Sequence, residues 1–587
     1  MEYSLLVEVY EQLNKTTKRL EKTHIISEFL RHVSADEMEQ VVLLLEGNVF
    51  PNYDPREIGV ASRLMLKALN IATGISIDTI ENEWKKQGDL GLVAEIIIKG
   101  KKQNTLFSSS LTIKKVFENI RKLAELEGHG TVDRKTQLIA ELLTSAKPME
   151  AKYIVKTILR EMRIGVGEGS LRDAIVWAFF GKEIGIIYEQ QENDIQIKDR
   201  EIYKNYVDAV QRAYDMTNEF ALVAKVAKSK GLQELDNIKI KVGIPINVML
   251  SLKCDTIDEA FETVGKPAAV EFKYDGFRIQ GHKDENGKIK LFTRRLEDVT
   301  AQFPDVVEYI SKNVKGKSFI IDSEAVGYDK KTGKYLPFQN ISQRIKRKYD
   351  IKRMSEQFPI ELNVFDVIYY EGKSMINESF EQRRKLLDKV LKQKPNKISL
   401  SSMIITSEKK EVEKFFKQAV NLGNEGLMFK SLKAPYKPGA RVGHMIKFKH
   451  IMETLDLVIV GAEWGEGKRS NWLSSYVIAC IDENGNFLEI GRASTGLKEK
   501  EEEGLSFMEM TKILKPLMFD DKGKEVKIKP KIIIEVGYEE IQKSPTYASG
   551  FALRFPRVIK LRTMDKRPED ASNLDYIKKL YEAQKKS

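Results

Sequence analysis

A chain of 587 residues is long enough for about three or four domains, and its basic residues outnumber acidic ones by 97 to 86, a formal +11 that suits a polyanionic partner. Two cysteines, Cys254 and Cys480, exclude a four-cysteine zinc site and a disulfide framework. No apolar run approaches the roughly 18 residues of a membrane span, and the start Met-Glu-Tyr-Ser-Leu-Leu lacks the basic opening of a secretion signal, so a soluble, cytoplasmic protein is expected.

The first part reads as helical. Leu5, Leu6, Val9, Tyr10 and Leu13 follow an i, i+3, i+4 stripe, and amphipathic stretches cover 36–46, 58–71, 136–145 and 149–162. Between them, Lys101-Lys-Gln-Asn-Thr-Leu-Phe107 reads as a polar loop carrying Gln103, Leu106 and Phe107. That apolar pair either folds back onto its own domain or serves a partner's pocket. At 160–172 a basic helix end, with Arg160 and Arg163, meets a loop containing Gly165 and Gly167, and a new helix is expected to start at Ser170. A helix cap plus a turn explains such a loop, as does close approach of phosphate to a helix N-terminus. A lysine-rich connector follows at 228–246, running into Gly243-Ile-Pro-Ile-Asn247.

The middle of the chain turns to alternating strands and helices. An apolar strand, Ala268-Ala-Val-Glu-Phe272, leads into Lys273-Tyr-Asp-Gly-Phe-Arg278. A lysine at a strand end followed by an arginine puts two cations around one pocket, which suits a triphosphate, and a lysine amine is also a nucleophile. With a free pKa near about 10.4, only roughly one lysine in a thousand is neutral at pH 7, so such chemistry needs neighbours that favour the neutral amine. Downstream, within 291–300, Arg294 ends a short apolar strand and Asp298-Val-Thr begins a turn. An alternating strand at 319–326 delivers the carboxylate Glu324, and an apolar strand at 362–369 carries Phe365. Glu425 sits between glycines in 423–430. In Met445-Ile-Lys-Phe-Lys449, Lys447 and Lys449 share one strand face. Beyond 450 come short strands with glycine turns at 455–464, 476–481, 487–490 and 532–536, the pattern of a small Greek-key barrel of the oligonucleotide-binding type. A basic stretch follows: Arg554-Phe-Pro-Arg557, Lys560, Arg562, Lys566 and Arg567. The chain closes on an amphipathic helix at about 571–585.

Taken singly, each of these features has a plain structural explanation. Together, in order over 273–449, they resemble the motifs of the covalent nucleotidyltransferases: DNA ligases, RNA ligases and mRNA capping enzymes. The resemblance implies that Lys273 becomes AMP-linked and that Glu271 reads the purine edge. It gives Arg278 and Arg294 the ribose or phosphate groups and stacks Phe365 on adenine. Arg441 and Lys447 would neutralise charge at the α-phosphate, with Lys449 beside them. Glu324 and Glu425 would hold a divalent metal, Mg²⁺ or Mn²⁺. Arg557, Arg562 and Lys566 resemble the last family motif, whose cations orient the leaving pyrophosphate. The position two before Lys447, often tryptophan in the family, is Met445, and Asn247 stands where arginine is frequent.

The segment at 160–172, with Gly88-Asp-Leu-Gly91, is similar to the nick-encircling helical domain of archaeal and eukaryotic replicative ligases, which makes Arg160, Arg163, Gly165 and Gly167 expected DNA contacts. Gln103, Leu106 and Phe107 resemble a shortened motif by which replication enzymes dock on the sliding clamp. The expected architecture is a helical DNA-binding domain over 1–227, a mixed α/β adenylation domain over 228–450, and an OB-fold domain with a C-terminal helix over 451–587. The implied activity is ATP-driven sealing of nicks in duplex DNA by a monomer. The rivals are a GTP- or ATP-using RNA ligase or capping enzyme, which does not normally bring so large a helical domain, and a catalytically silent nucleic-acid scaffold. An NAD-dependent ligase would normally carry the zinc module that two cysteines cannot supply.

Overall fold

In the computed structural model the described residues are all except 101–109, 337–340, 342–343, 346–348, 450–453, 466–468, 470, 500–504, 523–524, 564 and 587. Gln103, Leu106 and Phe107 therefore lie outside the described residues. The chain divides into two compact units. One comprises Met1–Leu252, Gly276–Ser401 and Ser431–Met445; the other comprises Lys253–Asp275, Ser402–Lys430 and Ile446–Ser587.

The first unit opens with helices running from Tyr3–Lys15 to Phe220–Lys230. On the first of them Tyr3, Leu6, Tyr10 and Leu13 are fully buried, whereas Leu5 is 44% exposed. The expected stripe is thus rotated by part of a turn, with Tyr3 taking the place assigned to Leu5. Helices Met38–Leu45, Ser62–Thr73, Thr131–Ser145 and Pro148–Ile158 occupy the expected amphipathic stretches. The segment Gly88-Asp-Leu-Gly91 is a helix junction. Gly88 closes helix Ile77–Gln87 with a left-handed φ of 68°, and Asp89 caps helix Leu90–Lys99 by accepting from the Leu92 N–H at 3.1 Å. The same Asp89 binds Lys156 at 2.7 Å.

The main strands of the central segment are β1 (Leu250–Cys254), β2 (Ala268–Lys273), β3 (Phe277–Lys283), β4 (Ile289–Thr293), β5 (Phe319–Tyr328), β6 (Ile360–Tyr370), β7 (Met403–Thr406), β8 (Gly426–Ser431) and β9 (Arg441–Lys449). In the first unit β4, β3, β5 and β6 are consecutive antiparallel neighbours. One face, including Ile279, Phe319, Ile321, Leu362 and Val364, joins an apolar core with Val306, Ile310 and Leu387 from helices Pro304–Asn313 and Phe380–Val390. The other face is buried too, so β5 does not alternate as expected: from Phe319 to Gly327 every residue but Glu324 is buried. Its cover is polar. His282 Nδ1 accepts from the Gly243 N–H at 3.1 Å, and Gln280 exchanges two bonds with the backbone of Ile246 at 2.8 and 3.2 Å.

In the second unit the strand order is β7-β2-β8-β9-β1, with β9 and β1 continuing across the division of the chain. Beyond it lies the strand-rich C-terminal region. Strand Leu455–Trp464 pairs with Leu473–Ile481, with Glu525–Ile528 through its second half and with Ile533–Gly537 through its first, so one long strand serves two neighbours on the same edge. Its core gathers Leu457, Ile459, Tyr476, Ile478, Ile534 and Val536, and Ile577 of the closing helix Leu574–Lys586 is fully buried against it. No helix among the described residues is long and apolar enough to cross a membrane.

Asn247 has a structural task in the first unit. Its side-chain amide donates to Asp215 Oδ1 at 3.2 Å, beside a second donor, Gln211, at 3.0 Å. Burial pushes the Asp215 carboxyl up to about 6, and those two hydrogen bonds only partly offset it. A folded value above the ordinary 3.8 means that this group's stabilisation is complete below about pH 4 and is lost as pH rises through about 6. Asp215→Asn keeps an oxygen acceptor for both amides. The variant should be more stable than the parent by on the order of 2 kcal/mol at pH 8 and indistinguishable at pH 4, as thermal midpoints at the two pH values will report.

Candidate active site

Each unit carries its own share of the motif residues. In the second, β2 is buried from Ala268 to Phe272 and surfaces at Lys273. The backbone of Lys273 is fixed by its carbonyl, which accepts from the Glu425 N–H at 2.8 Å. The side chains close the same ring, with Lys273 Nζ 2.5 Å from Glu425 Oε2. Lys449 joins from β9, at 2.9 Å from the same oxygen and 3.0 Å from Glu539.

Gly426 permits this convergence. At φ 149° it adopts a backbone that only glycine takes readily, and a Cβ there would stand 2.3 Å from the Phe448 carbonyl and 2.9 Å from Lys449 Cα. Burial alone would raise the Glu425 carboxyl, but the ammonium groups of Lys273 and Lys449 outweigh it and hold the carboxyl well below the usual range. Lys447 is pushed down by burial and then by its neighbours Lys449 and Lys273. Lys449 goes the other way, because Glu425 and Glu539 overcome the cost of its burial. Glu271, two residues before Lys273, is buried in a pair with Lys430 at 2.6 Å.

Two further groups enter this constellation without having been assigned from sequence. Asp275 is pushed up by burial and by Glu425, and Arg554 relieves it only in part, at 3.4 Å. Arg554 in turn binds Glu540 at 3.2 Å. The basic stretch was legible, but which of its cations turns toward Asp275 was not. Of the expected members, Arg557 is exposed, Arg562 binds Glu535 at 3.1 Å and Asp565 at 2.8 Å, and Lys566 binds Asp456.

In the first unit, Arg278 and Glu324 are register partners on β3 and β5. Gly276 makes their approach possible, since a Cβ there would lie 2.3 Å from the Ala325 carbonyl oxygen and 3.0 Å from Glu324 Cγ. Arg278 is held by Asp322, with Nε 2.7 Å from Oδ1 and a second bond from Nη2 to Oδ2. Burial works against the guanidinium, but this carboxylate and then Tyr436 raise its pKa further still. Asp322 carries no motif signal of its own beyond lying two residues before Glu324.

Phe365 lies 5.2 Å from the Arg278 guanidinium carbon. It is the extra residue of a β-bulge: Asp322 pairs with Asp366 and Ser323 with Val364, which leaves Phe365 between them and half-buried in an otherwise buried run. Arg294 is exposed in the turn after β4, and Arg441 is exposed at the start of β9.

In the helical region, Arg160 and Arg163 are exposed and left-handed, at φ 58° and 43°, while Met162 and Ile164 on either side of Arg163 are buried. Gly165, at φ 66°, presents its carbonyl to Lys22 Nζ at 3.3 Å, and the Ile164 carbonyl lies 2.6 Å from the same ammonium. Gly167 is the cap of helix Glu168–Ile184, which therefore starts two residues before the expected Ser170.

Gly426→Ala tests the geometry directly. Forcing a side chain into a left-handed residue against a carbonyl should cost roughly 3 kcal/mol. A chemical-denaturation midpoint will measure that loss, and Met428→Ala on the same strand serves as the comparison.

Three family models match the chain: DNA ligase N terminus over residues 2–176, ATP dependent DNA ligase domain over 248–449, and ATP dependent DNA ligase C terminal region over 469–566. It is 46% identical to a DNA ligase of Nanoarchaeum equitans (strain Kin4-M), the alignment covering 100% of this chain and 99% of that one. DNA ligases of Thermococcus fumicolans and Archaeoglobus fulgidus are 41% and 40% identical, again over 100% of this chain and 99% of theirs. The solved structure Pmar-Lig_PreS3 shares the fold with a TM-score of 0.52 at 16% identity, over 95% of this chain and 99% of that one. Relatives at this level of identity, matched from end to end, put the order of motifs and of regions beyond coincidence, and the chain belongs to the ATP-dependent DNA ligases.

Proposed function

We propose that this chain seals nicks in duplex DNA during replication, repair and recombination, by two transfers of AMP and one displacement at the nick's own 5′-phosphorus. The Lys273 amine attacks the α-phosphorus of ATP, a P–N bond forms and pyrophosphate leaves. An oxygen of the nick's 5′-phosphate then attacks that phosphorus, the P–N bond breaks and the lysine is freed. Finally the 3′-hydroxyl attacks the activated 5′-phosphate and AMP departs. The observation that carries this reading is the placement of Lys273 Nζ against Glu425 with Lys447 and Lys449 on the adjoining strand, a cationic seat for a transferring phosphoryl group.

The remaining roles follow from chemistry. Lys447 and Arg441 offset charge developing at the α-phosphate. Phe365 offers a ring face to adenine, Glu271 an acceptor to its edge, and Arg278 with Arg294 cations to ribose and phosphate. Among the described residues no group of three or more His, Cys, Asp or Glu is a ready-made metal cage. Glu324 and Glu425 are hard oxygen donors, and Mg²⁺ is commonly held by one or two carboxylates together with substrate phosphates, so the donor set fits Mg²⁺ or Mn²⁺. Such an ion would supply charge neutralisation at the phosphates and would compete with Lys273 for Glu425. Arg160, Arg163, Gly165 and Gly167 suit backbone contacts to DNA. The division into 1–227, 228–450 and 451–587 is the working domain scheme. One chain carries every group named, which suits action as a monomer in the cytoplasm, at the nucleoid.

Incubation with labelled ATP and a divalent metal should yield a covalent AMP adduct on Lys273. Lys273→Ala should abolish the adduct and all sealing from unadenylated nicks while nicked DNA is still bound; adduct on another lysine would sink the assignment. For the clamp, we expect Leu106→Ala with Phe107→Ala to remove stimulation of sealing by a sliding clamp and to leave self-adenylation unchanged. Loss of clamp-free activity in that variant would place the pair in the protein's own core.

A further inference from the structure

Tyr436 belongs to none of the sequence motifs, yet its hydroxyl is the point where three parts of the first unit meet. It lies 3.1 Å from Arg278 Nη2, from which it accepts, and 3.1 Å from Asp322 Oδ2, to which it donates. The Met249 N–H is a further donor to it at 3.3 Å, and Lys437, the next residue, donates its N–H to the Met249 sulfur at 3.5 Å. Tyr436 is 3% exposed, and burial followed by the charge of Asp322 raises its pKa, so it remains a neutral phenol able to donate and accept at once.

The ring is held as firmly as the hydroxyl. On one side lies Arg383, its guanidinium carbon 5.8 Å from the ring centre and its own fork closed on Asp366 at 2.7 and 3.1 Å. The bonds to Asp322 and Tyr436 engage Nε and Nη2 of Arg278, and none of them uses Nη1. Arg278 is thus fixed on three sides, by Asp322, by Tyr436 and by the face of Phe365. An arginine with five donors and many rotamers becomes a single pre-aimed group. The strand's own periodicity extends the arrangement: Arg278, Gln280 and His282 share one face of β3, and they meet Met249 just beyond the connector (through Tyr436) and the connector itself at Ile246 and Gly243, in turn.

We propose that Tyr436 is a positioning residue for nucleotide binding, which it serves by holding the Arg278–Asp322 pair in the geometry that meets ATP. This rests on the assignment of Arg278 to the nucleotide. An arginine that grips ATP equally before and during reaction affects KM and leaves kcat alone, and losing one orienting hydrogen bond to a buried charged pair is expected to raise that KM about tenfold.

The test compares Tyr436→Phe, Arg278→Lys and the double variant in self-adenylation of the full chain, with KM for ATP and kcat measured separately. Tyr436→Phe keeps the ring in its place beside Arg383 and removes the hydroxyl alone. It should raise KM for ATP about tenfold with kcat within about twofold, and the double variant should be no worse than Arg278→Lys. A fall in kcat at unchanged KM would mean that the hydroxyl merely supports folding, since a partly unfolded sample contains fewer active molecules of unaltered affinity; that result overturns the proposal. An unchanged KM in Tyr436→Phe beside a raised KM in Arg278→Lys also overturns it and leaves the reading of Arg278 standing. An unchanged KM in Arg278→Lys removes both.

Discussion

A carboxylate oxygen shared by two ammonium groups sets the terms for the candidate site. Glu425 Oε2 lies 2.5 and 2.9 Å from the ammonium groups of Lys273 and Lys449, whose charges hold its half-buried carboxyl well below the usual range. Desolvation of one unpaired ion costs several kcal/mol, so the strands that deliver these groups must hold register closely. Gly426 is what lets them do so, because no other residue fits between β8 and the Phe448 carbonyl. The Lys273 amine is thereby tied to a carboxylate, and that carboxylate to a backbone contact that any side chain would crowd.

The same economy runs through the central sheets. Arg278 with Asp322, Arg383 of helix Phe380–Val390 with Asp366, and Lys430 with Glu271 are buried pairs, each with its carboxylate on a strand. Replaced by hydrophobic groups of equal volume, such pairs would often leave a protein no less stable. Their value lies in direction: a bidentate fork fixes an arginine to within a narrow cone, whereas a packed leucine fixes nothing polar. The sheet's polar face thus becomes a set of aimed donors, and its apolar face, against Val306, Ile310 and Leu387, supplies the burial.

Much of this was readable from residues in sequence. Lys273-Tyr-Asp-Gly-Phe-Arg278 announces itself, and the helical and strand-rich regions follow from their periodicities. Glu324 and Phe365 can be picked from their strands only by resemblance, although the structure gives each a physical mark as the half-buried residue of a buried run. What stayed hidden came from distant chain. Asp322 lies 44 residues from Arg278 and Tyr436 lies 158 away, and neither partner carries a local pattern that declares the other. The strand at 319–326 was expected to alternate because a sheet with one wet face does so. Here the connector covers the second face with polar backbone, so burial is continuous while polarity is not. The stripe on the first helix slipped for a simpler reason: a tyrosine counts as weakly apolar in any pattern, yet Tyr3 is wholly enclosed.

The bulge at Phe365 separates two things that seem joined. Val364 pairs with Ser323 on the helix-facing side and Asp366 pairs with Asp322 on the polar side. A strand lacking Phe365 would alternate regularly through this point, with both of those neighbours still on their present faces. The Phe365 ring is therefore a single-residue insertion into a sheet whose local pairing is complete without it. Lineages could gain, lose or exchange that ring while the strand pairing and the Arg278–Asp322 and Arg383–Asp366 forks stay in place, Arg278 losing only the ring face beside it. The ring beside Arg278 and the ion pairs that hold the arginine are free to evolve on separate schedules.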